Sequence, residues 1–201
     1  MVVFSSILPN QLGHTLVSNG IRLRFVHIAG KGAYGVVYLA WDLSTPEYAP
    51  RFYAVKCTLK YEANTEFSAL QKREIIYHSA MSGHSNVTSL HRVIEQEHYV
   101  YFVLDYHEGG DLFGAIVERK TFDHNDTAVK LAYVQLLDAM QACHDAGISH
   151  RDLKPENIMC SQRDSRFFLT DFGLATESCL SDNYGCGSSH YMSPGKTDHI
   201  S

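Results

Sequence analysis

Apolar and polar residues fall into strand-sized groups through the first half of the chain and into helical spacing later. Residues 21–28 and 36–41 predict two strands joined by the glycine-dense turn AGKGAYG, so a β-hairpin opens the pattern. Residues 52–59, FYAVKCTL, predict a third strand, and residues 65–81, rich in Ala, Leu, Glu and Lys, predict a helix ending near Gly83. Residues 87–94 and 99–106 are β-branched and aromatic and flank the polar turn EQEH, which predicts two more strands. Beyond the Glu-Gly-Gly-Asp stretch at 108–111 the period changes. Val129, Ala132, Tyr133, Leu136, Met140 and Cys143 recur at helical spacing over 126–145, with Asn125 or Asp126 placed as N-cap and Gly147 as the stop. Strand-like pieces follow at 158–160 (IMC) and 167–170 (FFLT), and no internal repeat is present. Strands first and helices later predict an α+β protein of two lobes, hinged near 105–111.

Composition removes whole classes of function. The chain has 201 residues, and 17 Lys+Arg against 22 Asp+Glu give a net charge of −5, which argues against a nucleic-acid partner. With 45% hydrophobic and 19% charged residues it is ordinary globular material, so disorder, collagen and coiled coil fall away. The most apolar run, 99–106, is strand-sized and predicts no membrane association. The N-terminus has neither a basic region ahead of its apolar residues nor a glycine at position 2, so cytoplasm or nucleus is the expected location. Five cysteines (Cys57, Cys143, Cys160, Cys179, Cys186) without a CxxC pair fit a reducing compartment. The histidines at 78 and 84, or 144 and 150, lack the tight ligand spacing of a zinc site.

Three motifs carry chemistry. Gly30, Lys31, Gly32, Ala33, Tyr34 and Gly35, followed by Val36 and Val37, fit G-x-G-x-x-G-x-V. The third glycine leads into a strand where a dinucleotide site would need a helix, so the glycines belong to a hairpin whose amides can fold over phosphates. Lys56 follows Ala54 and Val55 on the third strand, and Glu74 lies on the next helix. A strand lysine alone usually snorkels to solvent; one held by a carboxylate stays charged and fixed, able to grip phosphate oxygens. The strongest motif is His150-Arg151-Asp152-Leu153-Lys154-Pro155-Glu156-Asn157, with Asp171-Phe172-Gly173 fourteen positions on from Asn157. Asp152 can accept a hydroxyl proton, Asn157 and Asp171 offer hard oxygens to Mg²⁺, and Lys154 can stabilise charge on a transferred phosphoryl group.

In this order the motifs resemble those of eukaryotic protein kinases, over residues 21–194. The HRDLKPEN form is closer to serine/threonine kinases than to tyrosine kinases, and residues 171–176 with 186–194 are similar to fungal kinases that repress meiosis or respond to nutrients. The resemblance implies ATP and Mg²⁺ as cofactors and protein Ser or Thr hydroxyls as acceptors, in a basic context read by Glu156, by a chain that is monomeric if folded. It implies an extension at 1–20, an N-lobe at 21–104, a hinge at 105–111, a partial C-lobe at 112–194 and a non-family tail at 195–201. Val37, Ala54 and Met159 would sandwich adenine with Leu104 as gatekeeper, and Asp105 and His107 would offer hinge backbone groups to the base. Asp111 would lie near ribose or a substrate side chain, and Leu90, His78, His150 and Phe172 would form an internal stack in which His78 departs from the usual apolar residue.

Other departures concern the end of the chain. Ser193-Pro194-Gly195 stands where the family reads A-P-E, and the helices that follow in the family are not encoded. The resemblance therefore implies a C-terminally truncated kinase with a complete set of site residues on an incomplete scaffold, and a helix over 126–145 that exposes an apolar stripe. The alternative reading is a non-catalytic fragment that binds nucleotide or partners. Arg151 implies pairing with a phosphorylated segment. Loop counting puts the usual phosphosite near Tyr184, with Thr176, Ser178 and Ser181 as alternatives, and Cys179 and Cys186 are expected to be inert.

Overall fold

A computed structural model describes residues 8–32, 35–177 and 187–191. Ala33 and Tyr34 of the glycine turn, Ser178, Cys179, Ser181, Tyr184 and Cys186, and the Ser193-Pro194-Gly195 triplet with the tail lie outside the described residues. The chain divides into two units, one holding the residues up to Ser68 with Leu90–Tyr106, the other Ala69–Ser89 with the residues from His107 onward.

In the first unit six antiparallel strands form one sheet in the order β1-β2-β3-β4-β6-β5. They are β1 (Thr15–Ser18), β2 (Ile21–Lys31), β3 (Gly35–Asp42), β4 (Phe52–Leu59), β5 (Leu90–Glu95) and β6 (Tyr99–Asp105). Period-two alternation decides the faces: Val36, Tyr38 and Ala40 of β3, Val55 and Cys57 of β4, and Tyr101 and Val103 of β6 share one buried cluster with Leu23 and Phe25 of β2. Phe25 and Tyr38 stack there with centroids 4.7 Å apart.

Two differences from the sequence-based expectation belong to this unit. The stretch 1–20, expected as an extension, contributes β1, which pairs with β2 from Thr15↔Arg24 to Ser18↔Ile21. Leu16 is fully buried and Leu8 joins the same core. Four residues with a single buried leucine are too short for a periodicity signal, and the pairing is what makes them a strand. The strand expected at 87–94 begins only at Leu90; Val87 belongs to the second unit, where it bridges Leu169.

The second unit holds most of α1 (Glu66–Met81), then α2 (Leu112–Val117), α3 (Asp126–Asp145) and a two-stranded hairpin of β7 (Ile158–Cys160) and β8 (Phe167–Leu169). Asn125 caps α3 by accepting from the Ala128 N–H at 3.1 Å, and Gly147 follows its end at φ 73°, a left-handed conformation that favours glycine. Ala132, Leu136, Ala139 and Cys143 turn one side of α3 inward. Tyr133, Val134 and Leu137 on the same helix are 65%, 64% and 61% exposed; of these only Tyr133 belongs to the apolar stripe read from the sequence, whose Ala132, Leu136 and Cys143 turn inward instead. Among the described residues no helix is long and apolar enough to cross a membrane.

Candidate active site

The first unit places several predicted residues on one sheet face. Opposed residues of an antiparallel pair point the same way, and the register sets Val37 against Lys56, Ala54 against Leu104 and Lys56 against Phe102. Val37, Ala54, Lys56 and Leu104 therefore share the face opposite the Phe25–Tyr38 core. Lys56 is half-buried, with Nζ 5.7 Å from the centre of the Phe102 ring. Asp105 ends β6, and its Oδ1 accepts from Nε2 of His91 at 2.6 Å.

The glycines of the turn separate into two kinds. A Cβ on Gly35 would stand 2.5 Å from the Cys57 carbonyl oxygen, so strand packing itself requires glycine there. At Gly30 and Gly32 no described atom lies within 4 Å of the Cβ position, and packing imposes no such need. The Gly32 N–H donates to the Gly35 carbonyl at 2.9 Å.

In the second unit the β7/β8 hairpin gathers residues that are far apart in sequence. Asn157 directly precedes β7, Asp171 follows β8 by one residue, and the pairing Ile158↔Leu169 sets both at one end of the hairpin. The Thr170 N–H donates to the Asn157 carbonyl at 3.0 Å and holds that juxtaposition. Arg151 and Asp171 both adopt φ 66°, a left-handed conformation costly for a side chain with Cβ, and strain of this kind clusters at functional loops. Arg151 Nε donates to the Leu174 carbonyl at 2.7 Å, which fixes the loop of Asp152 to the turn after Asp171.

Asp152 is the hub of this loop. Its Oδ2 accepts from Lys154 Nζ at 2.8 Å and from Asn157 Nδ2 at 2.9 Å; its Oδ1 accepts from the Ser188 N–H at 3.1 Å and from the Ser188 hydroxyl at 2.9 Å. Lys154 Nζ also donates to Ser188 Oγ at 2.8 Å. Burial pushes the Asp152 carboxyl up, but the bonds from Lys154, Ser188 and Asn157 and the Lys154 charge outweigh it, and the group ionises below the usual carboxylate range. Ser188 is absent from the set read off the sequence. It lies 36 residues beyond Asp152 in an irregular stretch, and its only signal is being a small hydroxyl residue after Gly187.

Phe172, fully buried, is flanked by His150 at 5.0 Å and His78 at 4.9 Å between centroids, so three members of the expected stack meet within this unit. Burial lowers the His150 imidazole below its ordinary value against the opposing bond to Thr170 and the charges of Asp171 and Asp152. The neutral ring has a defined tautomer: Nε2–H donates to the Thr170 carbonyl at 3.1 Å, and Nδ1 accepts from the Asp152 N–H at 3.4 Å.

The remaining predicted residues take individual places. Glu74 on α1 is buried, and a Cβ on Gly173 would lie 3.6 Å from its Oε2 and 3.4 Å from Asp171 Oδ1, so glycine lets these groups sit close to the turn. Met159 pairs with Asp111 through an isolated bridge. Asp111 Oδ1 accepts from the Gly114 N–H at 2.7 Å as the N-cap of α2, a structural use that the sequence reading did not include. His107 stacks on Phe168 at 4.1 Å, and Glu156 is exposed. Thr176, named as an alternative phosphosite, is 6% exposed and exchanges two backbone bonds with Ser149, so its hydroxyl is not presented to a modifying enzyme.

The family model for the protein kinase domain matches residues 23–199. Similar curated proteins include a negative regulator of sexual conjugation and meiosis from Schizosaccharomyces pombe, 47% identical over 87% of this chain and 36% of that protein. The serine/threonine-protein kinase SKS1 of Saccharomyces cerevisiae is 39% identical over 61% of this chain and 24% of its own length, and ksp1 of Schizosaccharomyces pombe is 33% identical over 85% and 36%. The chain thus spans little more than a third of these relatives at most. A family match across most of its length, joined to a glycine hairpin, a strand lysine and an Asp152 loop that meets Asp171 across a short hairpin, places this chain in the protein kinase domain family.

Proposed function

We propose that the chain carries the chemistry of an ATP-dependent serine/threonine protein kinase, moving the γ-phosphoryl group of Mg²⁺-ATP to a protein hydroxyl. The observation that carries this reading is the Asp152 carboxylate, kept ionised and oriented by Lys154, Asn157 and Ser188. A carboxylate so held accepts the proton of an attacking Ser or Thr hydroxyl as that oxygen bonds to the γ-phosphorus and the bond from that phosphorus to the β–γ bridging oxygen breaks, releasing ADP. The Lys154 ammonium, 2.8 Å from Asp152, is placed to balance charge on the phosphoryl group in flight.

The donor chemistry fits magnesium. Asn157 commits Nδ2 to Asp152, which leaves its amide oxygen to pair with the Asp171 carboxylate as a hard oxygen set. Bound there, magnesium supplies neutralisation of phosphate charge. Gly30 and Gly32, whose missing side chains packing does not explain, favour a turn that lets its amides approach the phosphates. Lys56 and Glu74 are assigned to the phosphates, and Val37, Ala54, Leu104, Met159, Asp105 and His107 to the base, with Asp111 toward the ribose or substrate. Exposed Glu156 is free of packing duties and suits a basic residue near the acceptor. The likeness to a conjugation and meiosis regulator and to yeast serine/threonine kinases supports a fungal regulatory kinase with protein substrates.

Transfer of γ-labelled phosphate to Ser-containing and Tyr-containing peptides tests the reading. Label on Ser peptides, lost in Asp152→Asn, is expected. Nucleotide binding without transfer in the unaltered chain would favour the non-catalytic binding fragment instead.

A further inference from the structure

Outside the groups assigned above, the second unit contains a buried polar node at Thr88, a residue 2% exposed just ahead of β5. Its main-chain N–H donates to the Leu169 carbonyl at 2.9 Å, two residues before Asp171. Its carbonyl accepts from Nε2–H of His78 at 2.7 Å, and its hydroxyl is hydrogen-bonded to Nε2 of His107 at 3.1 Å. His78, also 2% exposed, lays its ring against Phe172 at 4.9 Å. One residue thus touches the strand that delivers Asp171, the ring beside Phe172 and the side chain of His107.

We propose that Thr88 is a positioning residue that couples the segment around His107 to the Asp171-Phe172-Gly173 turn, so that a ligand on one tightens binding at the other. The proposal rests on the nucleotide reading given above for those two segments. Its physical basis is the lack of slack. A β-branched residue has a stiff χ1, so the direction of the Thr88 hydroxyl follows its backbone, and that backbone is tied on both sides, to Leu169 and to His78. Moving His107 therefore pulls on the same peptide units that set Phe172 and β8. His107 itself cannot swing freely, because its ring is stacked on Phe168 at 4.1 Å, and Phe168 precedes Leu169. An apolar residue at 78 would pack on Phe172 equally well but would strip the buried Thr88 carbonyl of its side-chain donor, which explains an imidazole at this position. Valine at 88 would fill the same volume and keep both main-chain bonds while cutting the link to His107 alone.

The test separates the two ligands. Adenosine serves as the base-segment probe and Mg²⁺-tripolyphosphate as the probe for the Asp171 turn, each titrated calorimetrically into the purified chain alone and with the other saturating. Reciprocal tightening of about five- to tenfold is expected in the unaltered chain and in Thr88→Ser, falling below about twofold in Thr88→Val and in His107→Leu. Circular dichroism verifies that each variant is folded, and the unaltered chain is decisive even where a variant is not. Two probes that bind without affecting each other, or coupling that survives Thr88→Val intact, would overturn the proposal and leave the nucleotide reading standing. Failure of both probes to bind would overturn the nucleotide reading and the coupling with it.

Discussion

The two units hold their candidate site residues in opposite ways. In the first, Lys56, Ala54, Val37 and Leu104 are set by sheet register, and the same alternation buries Phe25, Tyr38 and Tyr101 on the other face. Position there is a by-product of regular structure, spread over seven consecutive β3/β4 pairs. In the second, Asp152, Asn157 and Asp171 sit outside the strands and α-helices, Arg151 and Asp171 take left-handed backbone, and short polar bonds tie Asn157 to Asp152. The lesson is that substitutions in the sheet core of the first unit should act through stability, while those among the polar bonds around Asp152 should act mainly on chemistry.

The largest effect expected is on the second side of that contrast. Asp152→Asn should lower kcat by roughly 10²- to 10⁴-fold, with only the modest fall in thermal midpoint that loss of its ionised carboxylate brings, read by peptide phosphorylation beside calorimetry. The first unit should answer oppositely: Phe25→Ala, which empties the stack on Tyr38, should cost about 3–5 kcal/mol in denaturant unfolding. Equal losses of rate and stability from both substitutions would erase the distinction.

Ser188→Ala comes next and sharpens the comparison, since it touches only bonds around the charged pair. Removing the hydroxyl from Asp152 and Lys154 should reduce kcat by roughly tenfold, and Ser188→Thr should restore most of it. The smallest effect is a pH dependence. Because burial lowers the folded-state pKa of His150 beneath its ordinary value of about 6.5, the unfolded chain binds more protons in that window, and stability rises with pH. The contribution is complete above the ordinary value and is lost as pH falls toward the folded one. A thermal midpoint that falls as pH drops below about 7, with a shallower slope in His150→Gln, is the expected result. Asp152 acts lower down: its depressed pKa adds stability above the ordinary carboxylate value that disappears as pH falls through the folded one.

What the sequence disclosed follows the same division. The strand at Phe52–Leu59 and the helix at Asp126–Asp145 were readable to the residue, because period two and period 3.6 are local signals that end at turns or caps. The contiguous HRDLKPEN and DFG motifs placed Asp152, Asn157 and Asp171 in one reading for a similar reason. β1 was hidden because its evidence is a partner strand, and α2 because six residues of Leu-Phe-Gly-Ala-Ile-Val show no helical period. Ser188 and Thr88 were hidden because their importance is a matter of which buried groups they reach, across 36 residues in one case and 19 in the other. Asp111 was legible as an acid and not as a cap, since only the formed first turn of α2 gives its oxygen an N–H to accept.

Thermal unfolding with and without Mg²⁺-ATP tests the central claim most directly, using the unaltered chain, Lys56→Met from the first unit and Asp171→Asn from the second. The account predicts a nucleotide-dependent rise in the midpoint of the unaltered chain, dependent on magnesium and lost in both variants. A rise of equal size in Asp171→Asn, or none in the unaltered chain, would contradict it.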